Sequence, residues 1–64
     1  MKIKDARKAA GLTQQQLAER VGCNQSVISR LEHGRREVSV SFLRTIAKAL
    51  GVPLYVLIDE EEVA

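Results

Sequence analysis

Gln25, Ser26, Ser29 and Arg30 place one amide, two hydroxyls and one guanidinium within six consecutive positions. What these groups offer together is hydrogen bonding to a patterned surface. An amide pairs bidentately with adenine through N6 and N7, and a guanidinium pairs with guanine through O6 and N7. Hydroxyls pair with donors or acceptors alike, so Ser26 and Ser29 say less. Arg30 suits a plain phosphate contact equally well, and both roles stay open here. Enzymatic chemistry has no comparable foothold. No serine sits in a nucleophile elbow, and no glycine loop has phosphate-cradle spacing. One cysteine (Cys23) and one histidine (His33) cannot complete a four-ligand zinc site. Asp59 to Glu62 are consecutive, so their carboxylates do not converge as an acid–base pair. The chain therefore reads as a non-enzyme with no cofactor and no metal.

Two short helices must hold the polar cluster. In LTQQQLAERVGCNQSVISRLEHG, from Leu12 to Gly34, Thr13 is an N-cap with Gln16 three residues on, a capping box. Leu12 and Leu17 have the spacing of a hydrophobic staple. Leu17, Ala18 and Val21 make an apolar stripe, and Gly22 can take the left-handed conformation that ends it. Asn24 is the next N-cap, with Cys23 and Ile28 again in staple spacing. Val27, Ile28 and Leu31 form the second stripe, which Gly34 ends. Helices this short joined at a glycine predict a helix-turn-helix unit, with Ala18 at the crossing and Ile28 and Leu31 turned inward. Gln25, Ser26, Ser29 and Arg30 are then left on the outer face. The first turn of that helix, with its unpaired N–H groups and partial positive charge, favours phosphates or base acceptors.

The flanking elements are also helical. Ile3, Ala6 and Ala10 stripe a helix from about Lys2 to Ala10, surrounded by Lys2, Lys4, Arg7 and Lys8. Ser39 caps a fourth helix, with Val38 and Leu43 as its staple. Leu43, Ile46, Ala47 and Leu50 give that helix the clearest amphipathic pattern in the chain. Pro53 suits the first turn of a short fifth helix, where a missing N–H matters little. Leu54, Leu57 and Ile58 have core spacing there, which leaves Tyr55 and Val56 on the outward face as a partner surface. No strand or hairpin signal occurs. The prediction is all-α, with five helices and the helix-turn-helix at the second and third.

Length and charge fit this reading. Sixty-four residues make one small domain, here 1–58, followed by an acidic tail, 59–64. The formal charge of +2 conceals an asymmetry. Residues 1–58 hold ten basic and four acidic residues, a net +6, and the tail holds the other four acids. A basic body fits a polyanionic partner. No run approaches a membrane span, the start leads directly into a charged helix, and a lone cysteine forms no internal disulfide. The expected location is cytoplasmic, without membrane association.

Gln14, Leu17, Ala18, Val21, Gly22, Ile28 and Leu31 resemble the helix-turn-helix of the phage lambda-repressor and Cro-like family, the XRE-type regulators. The likeness continues through VSFLRTIAKALGVPLYVLI. It implies a compact lambda-repressor-like domain that binds a palindromic operator in double-stranded DNA as a homodimer, most simply as a repressor. In such proteins the residues matching Gln25, Ser26 and Arg30 face base edges, and Ser29 shares that face. The residue matching Gln14 contacts the DNA backbone and buttresses Gln25. Thr13, Asn24, His33, Arg35, Arg36, Ser39 and Ser41 would lie along phosphates. The resemblance further implies an ion pair between Arg7 and Glu32, worth about 0–1 kcal/mol if mostly exposed. Phe42, Val52, Pro53, Tyr55 and Val56 form the expected dimer interface. An antitoxin with a toxin partner, a restriction–modification controller, or an interaction module that has lost DNA binding would share the fold.

Overall fold

The structure is a computed structural model and describes residues 2–34 and 38–58. Arg35, Arg36 and the acidic tail, with the expectations placed on them, lie outside the described residues. Side-chain caps close two of the described helix starts. Thr13 Oγ1 accepts from the Gln16 backbone N–H at 3.0 Å, and Gln16 Oε1 accepts from the Thr13 N–H at 2.8 Å, a complete capping box. It opens α2, Gln14–Val21. Ser39 Oγ likewise accepts from the Phe42 N–H at 3.2 Å and opens α4, Val40–Leu50. Asn24 occupies the N-cap position of α3, Gln25–Glu32, but its side chain makes no capping bond. The cap is there in backbone geometry only. The first helix, α1, spans Ile3–Ala9.

Gly22 closes α2 at φ 86°, in the left-handed region, and its N–H donates to the Ala18 carbonyl at 2.8 Å. A Cβ there would meet nothing within 4 Å, so the cost of a side chain is backbone strain alone. Gly22→Ala is expected to lower unfolding free energy by about 1–2 kcal/mol, read by urea denaturation. A loss well under that range would mean the turn can relax out of the left-handed conformation.

Ile3, Leu17, Ile28, Leu31, Ile46 and Leu57 are essentially inaccessible and form the centre of the core. Each buried aliphatic side chain stabilises by about 1.5–3 kcal/mol as an upper bound, so together they outweigh any cap. Helix α3 packs chiefly on α2, α2 on α4, and α1 on α3 and the C-terminal turn. Ala18 of α2 is buried in the same core, where a larger side chain would need room that the packed helices do not leave. The Lys2 N–H donates to the Leu57 carbonyl at 2.9 Å, which ties the first helix to the last turn.

Three expectations are corrected. The inner face of α1 is Ile3, Ala6 and Arg7, whereas Ala10 is exposed one residue beyond the last helical turn. Leu54–Leu57 is a single 3₁₀ turn, so the described residues form four α-helices and a turn rather than five α-helices. Pro53 sits before the turn in extended backbone (ψ 152°), and four residues are too few to build an α-helical ladder. The 3₁₀ repeat of about three residues eclipses i with i+3. That turns Leu57 and, in part, Leu54 inward, and Val56 is half-buried against the core rather than outward. Tyr55 is the side chain left outside, 77% exposed. Among the described residues no strand occurs, no helix is long and apolar enough to cross a membrane, and no cluster suits a metal.

Candidate nucleic-acid interface

The helix-turn-helix brings the N-termini of α2 and α3 to one side of the molecule. Gln14 is the first residue of α2 and Gln25 the first of α3. Their side chains meet although eleven residues separate them, Gln25 Nε2 donating to Gln14 Oε1 at 3.4 Å. The bond is long and exposed, a soft buttress rather than a lock. Gln25, Ser26 and Arg30 are exposed, and Ser29 is half-buried. The four residues follow one another along the outer side of α3, opposite Ile28 and Leu31, which are buried.

Thr13 and Asn24 are exposed at the two helix starts, with the Thr13 hydroxyl already engaged in its cap. His33 follows α3, and its Nδ1 lies 2.7 Å from the Ser29 carbonyl. A carbonyl can only accept, so Nδ1 is the donor of this bond. Ser39 and Ser41 stand exposed at the start of α4 with their hydroxyls 3.2 Å apart. Phe42 and Val52 are half-buried against the core and Pro53 is exposed.

Beneath the exposed face lies a buried ion pair. Arg7 Nε donates to Glu32 Oε2 at 2.6 Å and Arg7 Nη2 to Glu32 Oε1 at 3.2 Å, a bidentate arrangement. The side chains are only 9% and 1% exposed, so the weak surface pair is not what the fold builds. Arg7 Nη1 also donates to the Leu12 carbonyl at 2.7 Å, which fixes the chain just ahead of α2. A further bond was not legible in the sequence. Gln14 Nε2 donates to Glu32 Oε1 at 3.1 Å. No spacing rule relates residues eighteen apart on different helices, and only the crossing of α2 and α3 brings them together.

Hydrogen bonding to Glu32 raises the Arg7 pKa further above its ordinary value, against the opposing effect of burial. Burial alone would push the Glu32 carboxyl up, but hydrogen bonds from Arg7 and Gln14 and the charges of Arg7 and Lys4 outweigh it and hold it below the usual carboxylate value. The sign of the linkage follows. A carboxyl with a depressed folded pKa stabilises fully above its unfolded pKa of about 4.3, and loses that contribution as pH falls through the folded value. Unfolding free energy is therefore expected to drop steeply from about pH 4.3 downward in the wild type, and to change much less in Glu32→Gln. Parallel pH curves for the two proteins would show that Glu32 does not carry the acid sensitivity.

Comparison with known proteins agrees with this geometry. The sequence model of a helix-turn-helix family matches residues 3–57. An uncharacterized HTH-type transcriptional regulator of Methanothermobacter thermautotrophicus is 49% identical over 49 residues, covering 77% of this chain and 71% of that protein. The immunity repressor protein of Bacillus phage phi105 is 38% identical over 60 residues, covering 94% of this chain and 42% of the repressor. An uncharacterized transcriptional regulator in the ATPase CF(0) region of Rhodospirillum rubrum is 42% identical over 53 residues, covering 83% of this chain and 49% of its own. The chain thus spans under half the length of the last two. With its capped, glycine-joined α2 and α3 and a match over nearly its whole described length, the chain belongs to the XRE-type helix-turn-helix family and is a transcriptional regulator with a helix-turn-helix DNA-binding domain.

Proposed function

We propose that this protein binds a palindromic operator as a homodimer and represses transcription, with α3 in the major groove. The observation that carries the reading is the meeting of Gln14 and Gln25 at adjoining helix N-termini on an exposed face. It presents an amide and a row of backbone N–H groups toward one place, where base edges and phosphates would sit. Gln25, Ser26, Ser29 and Arg30 are assigned to base edges. Gln14, Thr13, Asn24, His33, Arg35, Arg36, Ser39 and Ser41 are assigned to the backbone. Repression as the outcome draws on similarity to a phage immunity repressor.

Selection from a randomised duplex library tests this directly. The wild type is expected to enrich a palindrome, and Gln25→Ala to relax the preference at one position per half-site by about 1–3 kcal/mol. No enrichment above a salt-sensitive background would remove the operator-binding reading and favour a protein-interaction module that kept the fold.

The dimer is proposed through Tyr55, with Phe42, Val52, Pro53 and Val56 around it. A tyrosine 77% exposed on a short apolar turn is the support for this surface. Dimerisation would set the two recognition helices about 34 Å apart, one DNA turn. Sedimentation at high concentration should show dimer, and the DNA complex should be two chains per duplex. Monomer with a 1:1 complex overturns it. Co-purification of a second, different chain would favour an antitoxin instead.

A further inference from the structure

The side chains of Arg7, Glu32, Gln14 and Gln25 form one continuous hydrogen-bonded path from the interior of α1 to the exposed start of α3. The chemistry of its members gives the path a direction. A carboxylate only accepts hydrogen bonds, whereas an amide donates at one end and accepts at the other. Glu32 Oε2 accepts from Arg7 Nε and Oε1 from Arg7 Nη2, and the third donor to the carboxylate is Gln14 Nε2, on Oε1. Gln14 must therefore turn its NH₂ inward and its carbonyl outward. That outward Oε1 can only accept, so Gln25 turns its own NH₂ toward Gln14. One N–H and the Oε1 of Gln25 remain to face a partner, in a preferred order.

We propose that Glu32 is a positioning residue for base recognition, setting through Gln14 the order in which Gln25 presents its donor and acceptor. The inference rests on the reading of Gln25 as a base-contacting residue. Order matters because adenine's major-groove edge carries one acceptor, N7, beside one donor, N6. A Gln25 amide held in one sense fits that edge on one strand only. A freely flipping amide fits it less often and also accepts other edges. Glu32 is well placed for this work because its side chain is 1% exposed and clamped at both oxygens by Arg7, so it does not reorient. Among the described residues the charges acting on it are those of Arg7 and Lys4, both cationic, which keep it an acceptor.

The test compares the duplex-library preferences of wild type, Glu32→Gln, Gln14→Leu and the double variant. Glutamine at position 32 can donate as well as accept and so releases the direction of the path. Leucine at position 14 cuts the path but leaves the Arg7–Glu32 pair intact. Each single variant is expected to flatten base preference at the Gln25 position about tenfold, within the discrimination one bidentate amide contact supplies, and the double variant no more than either. A purely structural Glu32 would instead weaken binding to all sequences equally or add its effect to that of Gln14→Leu, and either result overturns the proposal.

A measurement on the wild type needs no destabilising change. Gln14 Nε2 and Arg7 Nη2 donate to the same oxygen, so their protons should show a nuclear Overhauser contact. Its absence means Gln14 is not held in this sense, and the proposal fails. Should Glu32→Gln not fold, that contact and the Gln14→Leu preference decide together. A wild type that enriches no site removes the DNA-reading proposal itself, while the Overhauser contact still reports on the amide direction.

Discussion

Arg7→Met is expected to leave the protein largely unfolded at about 37 °C. Removing one partner of a buried pair costs about 3–5 kcal/mol, because the other charge stays buried without compensation. After the entropy cost of folding, a domain of this size keeps a net stability of only about 3–5 kcal/mol. Here the remaining group would be Glu32, its side chain 1% exposed and keeping only Gln14 as a donor among these bonds. The Leu12 carbonyl would lose the Nη1 donor as well. Replacing both partners, Arg7→Met with Glu32→Leu, should recover most of the loss, since a buried pair exchanged for apolar groups is often neutral or better. Thermal and urea unfolding of the single and double variants measure this. A cost under about 1 kcal/mol for Arg7→Met would mean that the pair behaves like a surface contact. If the double variant is as unstable as the single, lost packing rather than a stranded charge explains the effect. The double variant also bears on why the pair exists. A fold as stable without the pair, but with flattened base preference, would assign it to recognition.

Raising monovalent salt from about 50 to about 200 mM is expected to weaken operator binding about a thousandfold. The expectation assumes that the proposed dimer neutralises about six phosphates, which gives a log–log slope near −5. A net +6 over residues 1–58 supplies enough cationic groups for that number. Titrations at four or five salt concentrations give the slope, and the same series on Arg30→Ala settles its role. As a phosphate contact, Arg30 would account for about one unit of slope per chain, and its loss would weaken binding to all sequences alike. As a guanine reader it would relax preference at one base pair. A wild-type slope near zero would leave no place for phosphate neutralisation, and the proposed interface would have to be abandoned.

Much of the fold was legible in the sequence because the decisive signals are short-range. The Thr13–Gln16 box, the Ser39 cap and the αL closure at Gly22 depend on residues within a few positions of one another. The inward stripes of α2, α3 and α4 follow from the 3.6-residue period alone. Where the sequence misled, a local rule met a competitor. Leu54–Leu57 has helical spacing, but the segment ends after four residues and closes as a 3₁₀ turn, which rotates Val56 toward the core. Asn24 has the right identity for a cap, yet no side-chain cap bond forms.

The identity of the exposed row Gln25, Ser26 and Arg30, with the half-buried Ser29, was set by sequence, because their position relative to Ile28 and Leu31 is a matter of helical period. Beneath that row, resemblance alone implied the Arg7–Glu32 pair and the Gln14–Gln25 buttress, whereas the burial of the pair and the Gln14–Glu32 bond were set only by tertiary structure. Arg7 reads as one of four cationic residues on a basic helix, and nothing in its neighbourhood marks it as buried. It becomes so because α1 packs on α3 and the C-terminal turn, which leaves a carboxylate and a backbone carbonyl as its partners. Gln14 reads as one of three consecutive glutamines. The α2–α3 crossing selects it to bridge Glu32 and Gln25. Period and capping are properties of a segment, whereas an ion pair or a relay depends on the angle at which segments meet. That angle is a property of the packed core, in which Leu17 and Ala18 of α2 are buried together with Ile28 and Leu31 of α3.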